Sequence, residues 1–296
     1  MNLKDLLYDG SFRKPVILDT DTYNEVDDQY ALAYAMRSSD RVDLLAVTAA
    51  PFSNSRAATP AIGVQKSYDE AVRIRNFVDK NATVPIYMGS DAYLPDKNTP
   101  VDSEAARAIV SLVRAATEMV YIVAIGAITN VASAFLMAPD IVDKCAVIWL
   151  GGHALHYADN HEFNLYQDVP AAQVVFDSGV ELVHIPCKGM CTEFITTVPE
   201  LKYHLEGKNE LCDYLLELTA AYNRQNARVW SKVIWDVTAV AAICAPETLD
   251  MVEIPRPVIT DNERYSFDMA RPHYWYVRRI RRDALYDDLF TKLAQK

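Results

Sequence analysis

The feature that most constrains the fold of this chain is a regular alternation of short apolar runs with longer amphipathic segments. Short apolar runs favour buried strands, whereas amphipathic segments with a helical repeat favour helices that cover a sheet. Because parallel strands need right-handed helical crossovers, this order predicts a doubly wound, mostly parallel α/β sheet flanked by helices. The predicted strands are Pro15–Leu18, Val42–Val47, Val84–Met88, Met119–Ile125, Cys145–Leu150 and Leu182–Ile185.

Beyond Thr197 the pattern becomes mostly helical, then ends in two strand-like stretches and a last helix. No segment rich in Pro, Gly and Ser separates this part from the sheet, so we expect a single domain over residues 1–296. The predicted helices are Val26–Met36, Ala57–Phe77, Glu104–Ala116, Asn130–Leu136, Val169–Asp177, Glu210–Trp230, Val237–Ile243 and Leu285–Leu293, and the late strands are Val252–Ile259 and Tyr274–Ile280.

Charge and composition narrow the partners that we expect. The net charge of −11 would repel a phosphate backbone, which argues against nucleic-acid binding. The start of the chain has no sustained apolar region, and no later segment is long and uncharged enough to span a bilayer. Five cysteines without a secretion signal do not indicate a disulfide framework, so we predict a cytoplasmic protein. The basic run "VRRIRRD" is interpreted as a solvated strand edge.

The stretch "DTDTYNEVDD" places four aspartates within ten residues at the end of the first predicted strand. One pair of them would be ordinary, because Asp27 and Asp28 suit a helix N-terminus and Asp19 and Asp21 suit a turn. Four carboxylates exceed what capping needs. Since like charges that leave water together are costly unless a cation compensates them, the cluster predicts a metal site.

Further polar residues follow the other predicted strands. Asn54 lies after the second strand, and a loop rich in histidine and acidic residues lies after the fifth. In open parallel sheets, ligands bind outside the carboxyl ends of the strands, so we expect these groups to meet at one edge. Oxygen donors dominate there and the histidines lack zinc spacing, which favours a hard cation. Ca²⁺ is the first choice because it takes about six to eight oxygens in irregular geometry, and Mg²⁺ is the second.

Four segments, in this order, resemble the nucleoside hydrolase family, the inosine-uridine preferring N-ribohydrolases. They are "DTDTYNEVDD", "GAITNVASAF", "EFNLYQDVPAAQVVFDSGV" and "WDVTAVAAICAPE", and with the first strand they extend from Val16 to about Glu247. A single piece such as Thr-Asn is a weak signal, but the four pieces at successive strand ends are specific. The resemblance implies a hydrolase that cleaves the bond between ribose and a base.

The resemblance also implies roles for individual residues. Ca²⁺ would be bound by Asp21, Asp28, Asp236 and the carbonyl of Thr129, and it would hold a water together with the 2′- and 3′-hydroxyls of ribose. Asp27 would deprotonate that water, and Asp19 would be a supporting residue. Glu162 and Asn164 would bind ribose hydroxyls. A carboxylate-rich pocket suits this reaction because its transition state resembles an oxocarbenium ion.

Two departures from the family pattern bear on the substrate. Five residues, Thr22 to Val26, separate "DTD" from "DD" where the family has three, so Asn24 and Glu25 could reach over the pocket. Trp235 stands where many members have a histidine that protonates the leaving base, and an indole cannot donate a proton at neutral pH. Trp235 would either stack on a base or fill core space.

The leaving-group acid is therefore open. His153, His156 and His161 are each candidates, with His156 the nominal catalytic residue and His153 also a substrate-binding residue, along with Asn54 and Asn24. A lone histidine in a loop is more often a solvated or hydrogen-bonded residue than a catalytic acid.

These expectations combine into a Ca²⁺-dependent hydrolase of ribonucleosides, with purine or pyrimidine bases, acting on a small riboside. The alternatives are hydrolysis of another ribosyl or glycosyl compound, and a metal-dependent ribose-binding protein without turnover. We also expect a homo-oligomer, a dimer or tetramer, in which the segment "HYWYVRRI" forms either an interface or a core strand.

Overall fold

The computed structural model describes residues 2–223 and 227–295. Within them an eight-stranded sheet has the strand order β3-β2-β1-β4-β5-β6-β12-β9, and two pairs of short strands, β7 with β8 and β10 with β11, lie outside it. The strands are β1 (Lys14–Thr20), β2 (Val42–Ala49), β3 (Ile86–Tyr87), β4 (Val120–Ala124), β5 (Cys145–Leu150), β6 (Glu181–Ile185), β7 (Ile195–Thr196), β8 (Lys232–Val233), β9 (Leu249–Pro255), β10 (Val258–Ile259), β11 (Tyr265–Ser266) and β12 (His273–Ile280).

Neighbouring strands of the large sheet are parallel, apart from the edge strand β9, which runs antiparallel to β12. Helices connect most of the parallel strands. They are α1 (Leu3–Tyr8), α2 (Asp27–Arg37), α3 (Pro60–Val78), α4 (Glu104–Ala115), α5 (Thr129–Met137), α6 (Phe163–Gln167), α7 (Val169–Asp177), α8 (Val198–Leu205), α9 (Glu210–Tyr222), α10 (Val237–Cys244) and α11 (Arg282–Leu293), with 3₁₀ turns at Pro139–Lys144, Cys191–Glu193 and Pro246–Thr248.

Apolar side chains cover both faces of the sheet. Leu18 packs in one cluster with α2, α9, α10 and α11, whereas its neighbour Ile17 packs in a second cluster with α4, α5 and α7. This division follows from the strand repeat, in which successive side chains point to opposite faces. The predicted doubly wound α/β architecture is confirmed.

Several predicted elements have the bounds that the sequence indicated. Strand β5 and helix α7 match their predicted ranges. Helix α7 begins where Asp168 accepts a hydrogen bond from the Ala171 N–H at 3.0 Å, and Pro170 occupies the first turn. A side-chain cap followed by proline is a strong local signal for a helix start, which explains the agreement.

Other boundaries differ. Helix α9 ends at Tyr222 rather than at the predicted Trp230, because the Asn223 side chain pairs with the backbone of Ala227; residues 224–226 of that prediction lie outside the described residues. The predicted strand Val252–Ile259 is two strands, β9 and β10. Pro257, which lacks an N–H group, separates them.

Two more predicted ranges were too long. Helix α3 starts at Pro60, since the Thr59 hydroxyl caps it by accepting from the Ile62 N–H at 3.3 Å, so Ala57 lies before the helix. Strand β3 contains Ile86 and Tyr87 alone, although Val84–Met88 was predicted.

The C-terminal aromatic segment lies in the sheet. Tyr274 and Tyr276 are buried on β12, as the core alternative required. Arg278 pairs with Asp250 and Arg282 pairs with Glu200, so part of the basic run is engaged in ion pairs at the surface. The five cysteines are free and buried. Among the described residues no helix combines the length and apolar character needed to cross a bilayer.

His184 on β6 links the sheet to the loop after β5. Its Nε2 lies 2.7 Å from the carbonyl oxygen of Gly151 and its Nδ1 lies 3.4 Å from the Tyr274 hydroxyl, so a neutral ring that donates at Nε2 fits both partners. Burial lowers the pKa of His184 from its ordinary 6.5 to about 4.

This burial predicts acid lability. Between pH 6.5 and 4 the unfolded chain binds a proton at His184 and the folded chain does not, so the free energy of unfolding falls as pH decreases through that window. The variant His184→Gln keeps a donor and cannot titrate, so its stability should depend less on pH in urea titrations at several pH values. Exposed His273→Gln is the control; parallel pH curves for wild type and His184→Gln would contradict the prediction.

Candidate active site

The carboxyl ends of β1, β4, β5 and β6 border a cavity of about 290 Å³. Loops after these strands and the segment before α10 supply its walls, which is the position expected for a ligand site in an open parallel sheet. The lining residues are Asn24, Glu25, Asp27, Ile125, Leu150, His153, His161, Glu162, Phe163, Asn164, Tyr166, Cys187, Lys188, Trp235 and Asp236.

A buried acidic cluster forms one end of this cavity. Carboxylate oxygens of Asp27, Asp28 and Asp236 lie within 4.8 Å of one another, and each of these residues is buried. Ligands on opposite sides of one Ca²⁺ lie about 4.6 to 5.2 Å apart, since each Ca–O distance is about 2.3 to 2.6 Å. The spacing therefore fits ligands of a single ion.

Asp21 adds a carboxylate that accepts no hydrogen bond from the described residues. It is completely buried, and neither of its side-chain oxygens has a hydrogen-bond partner among the described residues. Burial raises the pKa of Asp21 well above its ordinary value, and the nearby Asp28 charge raises it further. Buried acceptors without donors are costly, so these oxygens fit a cation better than they fit an empty apolar interior.

The same physics acts on the other acids. Burial and then the Asp27 charge raise the pKa of Asp28 to about 7. Burial raises the pKa of Asp236 well above its usual range, with the charges of Asp28, Asp27 and Asp21 adding to the effect. A bound divalent cation would reverse these shifts by stabilising the ionised forms. The donors are oxygens alone, which suits a hard cation.

Lys232 contacts the cluster from strand β8. Its ammonium lies 2.5 Å from Glu25 and 3.3 Å from Asp27, and it donates to the Val233 carbonyl at 2.8 Å. Its side chain is 6% exposed, so these contacts occur away from bulk water. Burial raises the pKa of Asp27 while the Lys232 ammonium opposes that shift. Lys232 thus joins Glu25, in the loop between β1 and α2, to Asp27 of the acidic cluster.

Asp19 and Thr129 lie behind the cavity wall. Asp19 accepts hydrogen bonds from Thr48 at 2.7 Å and from the Asn130 amide at 2.8 Å, and burial raises its pKa to about 6. Thr129 is the first residue of α5, and its hydroxyl donates to Asp168 at 2.6 Å. These contacts tie the end of β1 to the start of α5.

Glu162 and Asn164 line the cavity opposite the acidic cluster. The Glu162 carboxylate caps helix α6 by accepting from the N–H groups of Asn164 and Leu165, and it also accepts from Gly152 at 2.7 Å. The Asn164 amide donates to the carbonyls of Ile125 and Leu150. Both side chains are therefore fixed in orientation by backbone groups at the strand ends.

The long loop after β1 lies over the cavity. Asn24 lines the cavity, and its side-chain oxygen accepts from the Asn54 amide at 2.7 Å. Asn54 itself lines an adjoining cavity of about 460 Å³, which shares Asn24, Glu25 and Phe163 with the first. Trp235 borders the first cavity, packs against the apolar core, and donates its backbone N–H to Asp27 at 3.0 Å.

The three histidines occupy different positions. His153 is buried and lines the cavity, and neither ring nitrogen has a hydrogen-bond partner among the described residues. His161 lines the cavity, stacks on Tyr166 and pairs with Glu263 at 2.5 Å. His156 is exposed, contacts the Tyr157 ring at a tilt of 40° and does not line the cavity.

Some site residues escaped the sequence reasoning. Lys232 precedes Asp236 by four positions, and nothing in "SKVIWD" marks its side chain as buried. Lys188 and Cys187 follow β6, and their place directly after a predicted strand is a signal that could have identified them. Lys232 depends on a pairing between distant segments.

Comparisons with known proteins identify the family. The profile of the inosine-uridine preferring nucleoside hydrolases matches residues 16–271. A probable uridine nucleosidase of Arabidopsis thaliana is 25% identical over 234 residues, 71% of this chain and 70% of that protein. A non-specific ribonucleoside hydrolase of Klebsiella pneumoniae is 26% identical over 265 residues, 79% of this chain and 80% of the relative.

Solved structures support the same fold. A plant nucleoside hydrolase superposes with a TM-score of 0.78 at 18% identity, covering 96% of this chain and all of that one. A purine-preferring ribonucleoside hydrolase from Gardnerella vaginalis gives a TM-score of 0.78 at 19% identity, covering 95% of this chain and 98% of that one. From the family match across most of its length, the chain belongs to the inosine-uridine preferring nucleoside hydrolases, a metal-dependent family of N-glycosyl hydrolases.

Proposed function

We propose that the protein hydrolyses the N-glycosidic bond of ribonucleosides, with purine or pyrimidine bases, and that it uses Ca²⁺. The observation that carries this proposal is the buried acidic cluster of Asp21, Asp27, Asp28 and Asp236 at the end of the cavity. Two relatives are named for the hydrolysis of ribonucleosides or uridine, which supports the substrate class. The preference among bases is not part of the proposal.

The proposed metal ligands are Asp21, Asp28, Asp236 and the Thr129 carbonyl. Ca²⁺ bound there would orient the ribose diol and make a water more acidic. Asp27, which is next to this set and on the cavity wall, would accept the proton of that water as general base. Lys232 and the Trp235 N–H hold the two carboxylate oxygens of Asp27 in place, so little reorientation is needed during the reaction.

Glu162 and Asn164 are proposed to bind ribose hydroxyls. The amide nitrogen of Asn164 already donates to two carbonyls, which leaves its side-chain oxygen to accept from a hydroxyl. Glu162 is held by three backbone N–H groups and retains lone pairs toward the cavity. Carboxylates on both sides of the sugar would stabilise its developing positive charge.

The leaving group is proposed to depart beside Trp235 and Asn24, next to the general base. Trp235 offers an aromatic surface and no acidic proton at neutral pH. His156, the nominal acid of the sequence analysis, lies outside the cavity wall, whereas His153 and His161 line it. Because Trp235 is the side chain proposed to lie beside the departing base, we propose that the base leaves with little proton assistance.

We also propose a domain organisation, a location, an oligomeric state and a reaction partner for the chain. The chain is a single domain, since α1 and α11, close to the two ends of the chain, pack in one core cluster. It is cytoplasmic, which the free, buried cysteines support. It forms a homo-oligomer, and its partner in the reaction is a small riboside.

Metal content tests the acidic cluster. The purified protein should contain one Ca²⁺ per chain, and Asp28→Ala should lose most of the affinity because it removes a charged ligand. Elemental analysis and chelator titration measure both. Asp69→Ala, at an exposed position on α3, is the control and should bind normally. Absence of a divalent ion, or unchanged affinity in Asp28→Ala, would refute the site.

The variant Asp27→Asn tests the general base. It keeps the size of the side chain and removes its basicity, so turnover should fall by at least ~100-fold, the scale of general-base catalysis. Affinity for ribose should stay within several-fold, since the diol ligands remain. Steady-state kinetics and ribose inhibition separate the two effects. Turnover equal to that of the parent protein would exclude this role.

Leaving-group dependence tests unassisted departure. General-acid help is worth ~100- to 10,000-fold, so a nitrophenyl riboside, whose leaving group needs no proton, should have a much higher kcat/KM than inosine. Trp235→His should narrow the gap if its ring reaches the base, and Trp235→Phe should change it little.

Alanine variants at His153, His156 and His161 complete the comparison. A variant that slowed inosine and spared the nitrophenyl riboside would identify a histidine acid. Comparable kcat/KM values for the two substrates in the parent protein would also count against unassisted departure.

A further inference from the structure

The cavity extends along the sheet edge from the acidic cluster toward β6. Strands β1, β4, β5 and β6 are successive neighbours, so the distance from β1 to β6 is about 14 Å at a spacing of about 4.8 Å per strand. This length accommodates a ribose ring and a substituent. We call the part of the cavity bordered by His153, Cys187, Lys188 and His161 the far arm.

The substituents of ribose indicate which end of the cavity would hold the base and which would hold the 5′ carbon. With its 2′,3′-diol at the acidic cluster, a riboside directs its base to one side and its 5′ carbon to the other. The proposed general base Asp27 must approach C1′, and Asp27 lies against Trp235 and beside Glu25. With Asp27 close to C1′, the leaving base would lie on the side that opens into the adjoining cavity, and the 5′ carbon would point into the far arm.

The far arm contains a buried side chain without a partner. His153 is 3% exposed, and both of its ring nitrogens lack hydrogen-bond partners among the described residues. Its backbone N–H is satisfied by the Asn160 side chain, so the loop conformation does not depend on the ring. A buried imidazole that satisfies no protein group is available to a ligand.

The far arm also contains an uncompensated positive charge. Lys188 is an exposed residue that lines the cavity, and among residues 2–223 and 227–295 no carboxylate oxygen lies within 4.0 Å of its ammonium. That ammonium is close enough to lower the pKa of His153, after the larger effect of burial. Gly189, at φ +86°, follows directly and packs on Ala154, which brings this turn against the His153 loop.

Two acids of this region, Glu162 and Glu263, are engaged by other protein groups, and the charge of the exposed Asp159 acts on the His153 ring. Glu162 directs its carboxylate at the N–H groups of Gly152, Asn164 and Leu165, where it caps α6. Glu263 is paired with His161. In a chain of net charge −11, a cavity end with a free ammonium and a free imidazole is suited to an anion.

We propose that the far arm binds a phosphate on the 5′ carbon of the riboside, so that nucleoside 5′-monophosphates are better substrates than nucleosides. This inference rests on the proposed function and specifies its substrate class. Water adds its hydroxyl to C1′, the C1′–N bond breaks, the base takes a proton, and the sugar leaves as ribose 5-phosphate. The phosphate itself is not altered. Lys188 and His153 would bind its oxygens.

Two measurements test the proposal. The first compares kcat/KM for uridine with uridine 5′-monophosphate, and for inosine with inosine 5′-monophosphate, at saturating Ca²⁺. Charge-assisted hydrogen bonds should make each monophosphate better by about 10- to 100-fold. The second measures binding of ribose 5-phosphate, ribose and inorganic phosphate by calorimetry, which does not depend on turnover.

The variant Lys188→Met should remove most of the advantage of the phosphate and leave uridine within a few-fold of the parent. His153→Gln should also remove most of that advantage, whatever its effect on uridine. Lys202→Met, at an exposed position on α8, is the matched control and should change neither substrate. Thermal melting establishes that each variant is folded. If His153→Gln unfolds, Lys188→Met alone decides the matter.

The results separate this inference from the proposed function. Hydrolysis of uridine with no advantage for its monophosphate, or ribose 5-phosphate that binds no more tightly than ribose, overturns the inference and leaves the function intact. Inorganic phosphate that binds as tightly as ribose 5-phosphate also overturns it. Selective binding of ribose 5-phosphate without hydrolysis of any riboside supports the phosphate site and overturns the function.

Discussion

Repulsion among buried carboxylates is the constraint on which the site depends. Asp21, Asp27, Asp28 and Asp236 come from two distant segments and are held together away from water, an arrangement that is costly for the chain by itself. Lys232 compensates part of this charge through Asp27 and Glu25. Thr20 donates to Asp28, whereas the two carboxylate oxygens of Asp21 have no donor among the described residues. The fold therefore stores a free-energy cost that a cation can relieve, which couples metal binding to stability.

The sheet can hold these carboxylates close together because its strands are rigid. Asp19 lies near the end of β1 and Asp21 follows the strand, and the Asn130 amide joins the Asp19 carboxylate to the Ala49 carbonyl at the end of β2. Two apolar clusters fix the strands from both faces. A catalytic water and a sugar need positions defined to fractions of an ångström, and groups at buried strand ends satisfy that need better than groups on free loops.

The architecture and most residues of the cavity wall could be predicted from the sequence, for physical reasons. Strand β5 and helix α7 were predicted with their bounds because burial and capping are local signals. Helix α9 was predicted too long, since the side-chain turn at Asn223 competes with helix formation in a way that hydrophobic periodicity does not show. Lys232 was missed because its partners are about 200 positions away, with separations of 207 and 205 residues. The position of His156 outside the wall depends on how its loop turns, and no periodic pattern fixes that.

The edge of the sheet at β3 has a consequence for the protein in concentrated solution. That strand has two residues, Ile86 and Tyr87, and Pro85 precedes it, so few free backbone groups are presented beyond β2. An edge this short is a poor template for a strand from another molecule. At the other edge, β9 ends at Pro255, which cannot donate a backbone hydrogen bond. In the folded protein, the short β3 edge therefore offers few backbone groups for edge-to-edge pairing with a second molecule.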